Sequence, residues 1–151
     1  MANVINTTVS SMWTSGNPTY VRPVASNGTY YYDTFHLMVS RAGTYDIGSD
    51  SAIDTYGFLY NGIFVPESPR FNLLIYNDDN NGSSQFGFRV PLQLNVKYTL
   101  VATAFAEMQT GPYTVVVSGP ERVTLIRTSI PVTTPSAPIT DGGNKTNATS
   151  K

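Results

Sequence analysis

Cysteine is absent from this chain of 151 residues, histidine occurs once, and only 13% of the residues are charged. The absence of cysteine excludes thiol chemistry and cysteine-based zinc sites. Lysine and arginine number 9 against 10 aspartates and glutamates, so the net charge is −1 and gives no electrostatic footprint for nucleic acid. No apolar run approaches the roughly 20 residues of a membrane-spanning helix. We therefore expect neither nucleic-acid binding nor membrane insertion.

Catalytic groups are scarce as well. His36 is the single histidine and no Gly-x-Ser-x-Gly motif occurs, so little material exists for a Ser-His-Asp triad. Glu67, Glu107 and Glu121 are scattered, and sequence does not place any two of them across a sugar as glycoside hydrolysis requires. We therefore expect a protein that is not an enzyme.

Aromatic and small polar residues are abundant instead. The chain has 10 Tyr and 7 Phe, while Thr, Ser, Asn and Gly fill the polar positions, which is typical of half-buried strands joined by turns. Alternation and turn residues predict strands over 7–13, 28–40, 44–48, 55–60, 72–77, 85–92, 97–105 and 112–118. No stretch predicts a helix. The sequence thus predicts an all-β fold, a jelly-roll-like antiparallel β-sandwich.

The parity of these strands predicts the core. Apolar residues at the end of 28–40 share one face, and those of 85–92 alternate with Gln85, Gly87, Arg89 and Pro91. The residues that we expect on the inner faces of two packed sheets are Phe35, Leu37, Val39, Phe86, Phe88, Val90 and Leu100.

Four segments are distinguished along the chain. Residues 30–120 contain the sandwich, residues 1–29 precede it with an extra strand, and residues 131–151 are a Ser/Thr/Pro/Asn-rich stalk or linker. Residues 121–130 alternate like a strand. They predict an extended C-terminal arm, with an edge strand of the same domain as the alternative. We expect that residues 4–13 or, in preference, residues 122–130 contact a neighbouring subunit. Head-to-tail contacts of this kind give rings or filaments.

Three carboxylates occur at predicted strand ends. Asp54 precedes the strand at 55–60, whereas Asp78 and Asp79 follow the strand at 72–77 and border a turn rich in Asn and Gly. Because Ca²⁺ prefers such oxygen-rich surroundings, we predict a calcium site formed by Asp54, Asp78 and Asp79. Aspartate also forms turns through its side chain, and this structural role is the alternative.

Sugar contacts are predicted in two forms. The N-glycosylation sequons are at Asn6, Asn27, Asn81, Asn144 and Asn147, and the candidates for O-linked sugar are Thr133, Thr134 and Ser136. These sites predict a secreted protein or one on an extracellular surface. The consecutive Tyr30, Tyr31 and Tyr32 are candidates for stacking on sugar rings, with ordinary strand packing as the alternative.

An ordered set of motifs runs from Tyr30 to Pro120. An aromatic strand is followed by Gly-Thr-Tyr at 43–45, Asp-Thr-x-Gly-x-Leu-Tyr at 54–60, Asp-Asp at 78–79, a tyrosine strand at 98–101 and Thr-Gly-x-Tyr at 110–113. In this order the chain resembles the bacterial pre-peptidase C-terminal domain and related repeats of large animal surface proteins. The resemblance implies a jelly-roll-like sandwich with an accessory role in glycan binding, adhesion or spacing, and Ca²⁺ near the aspartate pair in some members.

These features predict a noncatalytic extracellular structural or adhesive module, such as a repeat unit or filament subunit of a glycosylated surface assembly. Its expected partners are copies of itself, neighbouring repeats or glycans. The alternative is a carbohydrate-binding accessory module of a larger secreted protein, stabilised by calcium.

Overall fold

The computed structural model describes residues 4–24, 28–80 and 83–128. The strands are β1 (Ile5–Trp13), β2 (Thr19–Tyr20), β3 (Tyr30–Val39), β4 (Gly43–Asp50), β5 (Thr55–Asn61), β6 (Leu73–Asn77), β7 (Gly87–Leu92), β8 (Tyr98–Ala104), β9 (Gly111–Gly119) and β10 (Val123–Arg127). Within these residues no helix is long and apolar enough to span a membrane.

The strands form two packed antiparallel sheets. The four-stranded sheet has the order β1-β9-β4-β7, and the larger sheet has the order β10-β3-β8-β5-β6, with the short β2 also paired to β3. The prediction of an all-β antiparallel sandwich is confirmed. Every predicted strand is present, and only the two-residue β2 had no counterpart in the sequence pattern.

The main core lies between the sheets and follows the predicted parity. All seven predicted core residues are buried, whereas Arg89 is exposed and Gln85 is half-buried. Trp13 lies at one end of this core, where its ring stacks on Tyr113 with 3.9 Å between centroids. Its indole nitrogen donates a hydrogen bond to the Ala102 carbonyl at 3.0 Å, so the buried polar atom is satisfied.

A buried carboxylate on β3 contacts four other segments of the chain at that end. Asp33 is 0% exposed and accepts hydrogen bonds from Ser11 Oγ, Asn17 Nδ2, the Tyr113 hydroxyl and the Arg127 guanidinium. Burial, followed by the charge of Asp33, raises the pKa of the Tyr113 phenol. Because each partner comes from a different segment, Asp33 fixes β1, β9 and β10 against β3.

A second apolar cluster covers the outer face of the larger sheet. Its buried members are Tyr20, Tyr32, Tyr56, Phe58, Tyr60 and Val101, with Val24, Phe64 and Leu73 packed against them. The loop 62–72 is held over this face because the Tyr60 hydroxyl donates a hydrogen bond to the Pro69 carbonyl at 2.6 Å. Strands β5 and β8 are consequently buried on both faces.

Both predicted extra segments contribute strands to the sandwich itself. Strand β1 pairs with β9 over its whole length, and β10 pairs with β3 from Val123 opposite Val39 to Arg127 opposite Phe35. Residues 123–127 are therefore an edge strand of their own domain. Residues 129–151 lie outside the described residues, and head-to-tail contact with a neighbouring subunit stays a prediction.

Candidate functional site

A row of aromatic rings runs along the outer face of the larger sheet. We call Tyr56, Phe58, Tyr76 and Phe105 the aromatic row. The pairing of Phe58 with Tyr76 across β5 and β6 places their rings 5.9 Å apart. The Tyr56 ring stacks on Phe58 at 4.7 Å and on Phe105 at 6.2 Å between centroids. Parallel rings at these separations match the offset stacking that aromatic pairs prefer.

The two outer members of the row face solvent. Tyr76 is 46% exposed and Phe105 is 42% exposed, whereas Tyr56 and Phe58 are buried beneath and between them. The neighbouring Leu74 is also exposed. Two accessible rings thus rest on a rigid, buried aromatic base, which limits the entropy that a ligand contact would cost.

Arg22 holds the Phe105 end of the row in place. This side chain is only 3% exposed, and its guanidinium carbon lies 3.6 Å from the Tyr30 ring centroid and 4.7 Å from that of Tyr56. Its Nη1 donates hydrogen bonds to the carbonyls of Ala104 at 3.1 Å and Phe105 at 3.0 Å. Cation–π contacts and charged hydrogen bonds together fix the backbone from which Phe105 projects.

The loop that follows β8 contains a strained residue. Met108 has a φ of 56°, in the left-handed region that side-chain-bearing residues rarely occupy. Its sulfur accepts a hydrogen bond from the Thr29 hydroxyl at 3.6 Å. Backbone strain of this kind tends to occur at functional positions, and here it lies three residues from the exposed Phe105 ring.

The three predicted carboxylates lie at one end of the row. Strands β5 and β6 are antiparallel, so the residue before β5 and the residues after β6 meet at the same edge. The pKa of Asp54 is raised by burial and then by the charges of Asp79 and Asp78. The backbone carbonyl of Asp54 accepts a hydrogen bond from the Phe105 amide at 2.8 Å. We call these three residues the acidic end of the row.

The acidic end is not arranged as a coordination shell. Among residues 4–24, 28–80 and 83–128, no group of three or more His, Cys, Asp or Glu side chains could hold a metal ion. The charges of Asp79 and Asp78 reach Asp54 and raise its pKa. Calcium binding at these residues stays a prediction.

The predicted tyrosine stacking candidates are placed differently from the exposed rings. Tyr30 is buried under the Arg22 guanidinium. Tyr32 is buried edge-on against Tyr20 at 4.8 Å, and Tyr31 is half-buried against the main core. Neither Tyr30 nor Tyr32 has a ring face open to a sugar, because covering segments occupy that side of β3.

Sequence reasoning missed Tyr76 and Phe105. One signal was available for Tyr76, since residues 73–76 are apolar at every position and yet adjoin the Asp pair. A strand that is apolar on both faces is either central in a sheet or exposes one apolar face. Strand β6 lies at the sheet edge, so its outward ring is exposed.

Of the predicted sugar-attachment sites, the structure describes Asn6 alone. This residue is exposed on β1, and its Oδ1 accepts a hydrogen bond from Ser118 Oγ at 2.7 Å. The predicted sites outside the described residues are Asn27, Asn81, Asn144, Asn147, Thr133, Thr134 and Ser136.

A comparison of the chain with protein-family models and with curated proteins finds no match. What the site can do therefore follows from its own chemistry. Exposed rings stack on apolar faces of ligands, and adjacent carboxylates accept hydrogen bonds from hydroxyl or amine groups.

Proposed function

We propose that this domain is a noncatalytic extracellular adhesion module that contacts glycans through the aromatic row and its acidic end. The observation that carries the proposal is the pair of exposed rings, Tyr76 and Phe105, on a buried aromatic base. A sugar presents a C–H face that packs on an aromatic ring and hydroxyls that donate to carboxylates. The charges of Asp78 and Asp79 act on Tyr56 of the row, so these carboxylates are close enough to the rings to support such contacts.

Sequence features support the same role. The chain is poor in charge and contains five N-glycosylation sequons, as expected of a module in a glycosylated surface protein. A purely structural role, as a repeat unit or filament subunit, is the competing proposal. Exposed aromatic rings beside carboxylates favour ligand contact over spacing alone, because a spacer has no need of them.

Binding to a glycan array separates the two roles. The test variant is Tyr76→Ala/Phe105→Ala, and the control is Ile63→Ala, which removes an exposed apolar side chain outside the row. Two stacking contacts of about 0.5–1.5 kcal/mol each sum to about 1–3 kcal/mol and predict a loss of roughly 5- to 150-fold in affinity for the double variant. Equal binding by the double variant, or no binding by the parent, would contradict the proposal.

Calcium binding is tested on the same parent protein and on a variant of the aspartate pair. If Asp54, Asp78 and Asp79 bind Ca²⁺, calorimetric titration gives heat, and a chelator lowers the melting temperature, because a ligand of the native state stabilises it. Asp78→Asn/Asp79→Asn should abolish both effects. Absence of heat and of a melting shift in the parent protein would leave these residues as turn formers.

A further inference from the structure

The outer face of the four-stranded sheet carries a trough of about 490 Å³ with glycine at its base. Gly48 pairs directly with Gly87 across β4 and β7, and it also pairs with Val116 across β4 and β9. These residues point away from the core, because their strand neighbours Ile47 and Phe88 are buried between the sheets. We call this feature the glycine trough.

The rims of the trough are polar and electrically neutral. On one side Arg89 Nε lies 2.9 Å from Asp46 Oδ1, and Nη2 lies 3.2 Å from Oδ2, so the two charges neutralise one another. Ser118 adds a hydroxyl beside this pair. The Asn80 side chain lies over Gly87, within 2.6 Å of where a Cβ would be.

The two glycines are not required by backbone conformation. Neither Gly48 nor Gly87 has a positive φ, but space is short at both: a Cβ on Gly48 would lie 3.1 Å from the Phe86 carbonyl oxygen, and a Cβ on Gly87 would lie 2.6 Å from Asn80 Nδ2. Glycine inside a strand costs roughly 0.5–1 kcal/mol relative to alanine. Glycine in a strand interior often marks a close approach. At Gly87 the approaching group is the Asn80 side chain, whereas Gly48 leaves bare backbone at the base of the trough.

We propose that the glycine trough binds a neutral oligosaccharide. Its volume lies within the range of about 300–1,000 Å³ that small-molecule sites occupy. The bare backbone and Val116 suit the C–H face of a sugar, while Ser118, Asn80 and the ion pair suit its hydroxyls. The paired charges attract neither an anionic nor a cationic ligand, which favours an uncharged sugar.

An extended peptide fits the trough less well. The trough lies on a sheet face, where the backbone groups of β4 are already paired with β7 and β9. A peptide that adds to a sheet needs a free edge for its main-chain hydrogen bonds. Sugar recognition relies on side-chain hydroxyl, amide and charged groups, which the rims provide.

The glycine trough and the aromatic row lie on opposite outer faces of the sandwich. Occupation of the trough is independent of the function proposed for the row, and each site has its own variants. A module with both sites would connect two glycan chains, and such bivalent contact raises overall avidity well above that of either site.

The test is nitrogen-15 NMR titration of protein made without glycosylation, so that none of the sequons carries sugar. The probes are cellopentaose, chitopentaose and mannopentaose, with a sulfated heparin oligosaccharide as the charged comparison. We expect saturable shifts of the Gly48 and Gly87 amides with at least one neutral probe and none with the sulfated one. No shift at either glycine with all three neutral probes overturns the proposal.

Variants give the second arm of the experiment. Val116→Trp places a large ring in the trough and should weaken binding at least 10-fold. The matched control is Thr8→Trp, which pairs with Val116 on the same outer face but does not line the trough, and it should bind normally. Tyr76→Ala/Phe105→Ala should leave the shifts of Gly48 and Gly87 unchanged, so failure of the row and failure of the trough are distinguishable.

If Val116→Trp does not fold, Asp46→Ala/Arg89→Ala decides the outcome. Both side chains are largely exposed, so their removal costs little stability. Loss of one rim should weaken binding at least 10-fold. Unchanged affinity in this variant overturns the proposal.

Discussion

Gly57 lies on the inner face of β5, where the Phe86 ring packs directly on its backbone. A Cβ at this position would lie 2.3 Å from Phe86 Cδ1, in a core with no room to relax. Gly57→Ala should therefore lower the free energy of unfolding by about 1–3 kcal/mol, measured by urea denaturation. In Gly16→Ala the new Cβ would meet Thr14 Oγ1 at an ordinary 3.5 Å, so this control should change stability little. Equal effects of the two substitutions would contradict the packing described for Phe86.

Asp54 should make the stability of the folded state depend on pH, and its surroundings set the sign of that dependence. Partial desolvation and the nearby Asp79 and Asp78 raise its pKa, so the folded state favours the neutral carboxyl. Because Asp54 is itself exposed, solvent screening keeps the effect small. Its contribution to stability is present below the ordinary pKa of aspartate and is lost as pH rises through the raised value.

Asp54→Asn should accordingly raise the melting temperature at pH 7 and leave it nearly unchanged at pH 3, where Asp54 is already neutral in the parent. Asp50→Asn, an exposed carboxylate on the other sheet, is the control. Lower stability of Asp54→Asn at pH 7 would mean that the carboxylate forms its turn, and that its charge is favourable.

The period of two in the sequence predicted which residues face the core, including Phe35, Leu37, Phe86 and Phe88. It did not predict the burial of Tyr30 and Tyr32 on the opposite face. An outward strand residue becomes buried only if another segment covers it, and here residues 14–24 and 62–72 do so. Burial on an outer face is therefore a tertiary property that no local pattern contains.

At the scale of elements, a side-chain hydrogen bond joins the edge strands at each of the two open sides of the sandwich. On one side the Val123 amide of β10 donates to Thr7 Oγ1 of β1 at 3.0 Å. On the other, the Gly87 amide of β7 donates to Asn77 Oδ1 of β6 at 3.0 Å. Each bond connects an edge strand of one sheet to an edge strand of the other.

Thr7→Val tests the first of these bonds. The substitution keeps the shape of the side chain and leaves the buried Val123 amide without its acceptor, which costs about 1–3 kcal/mol. Faster hydrogen exchange of that amide and a lower urea midpoint should follow. Thr8→Val, on the exposed face of the same strand, should show neither effect. Unchanged exchange at Val123 in Thr7→Val would refute this role of the hydroxyl.

The presence of each strand could be predicted because alternation is a local pattern in the sequence. The strand with which it pairs could not. The sequence favoured an arm on a neighbouring subunit over an edge strand for residues 122–130, because β10 pairs with β3, which lies far away in the chain. The candidate site shows the same division. The proximity of Asp54 to Asp78 and Asp79 follows from pairing of consecutive strands, but the aromatic row needs Phe105 from beyond β8.

At the scale of the whole molecule, β1 and β10 run side by side in the same direction. Thr7 bonds to Val123 near the start of both strands, and Ser11 and Arg127 share Asp33 further along. The chain therefore enters this pair of strands at one end of the sandwich and leaves at the other. Tension applied through residues 4 and 128 would pull β1 and β10 in opposite directions along their own axes.

Under such tension the ladders are loaded in shear. Nine residue pairs join β1 to β9 and five join β10 to β3, and a pull along the strands strains all pairs of a ladder together. Pulling through Ile5 and Gly119, which pair with each other, would instead peel β1 from β9 one pair at a time. Forced unfolding is governed by the unfolding rate, which is slower when all pairs must break together. Pulling through residues 4 and 128 should therefore need the higher force in single-molecule experiments. Similar forces would contradict this arrangement; a clear difference would make the sandwich a mechanically directional element, strong along one axis and weak across it.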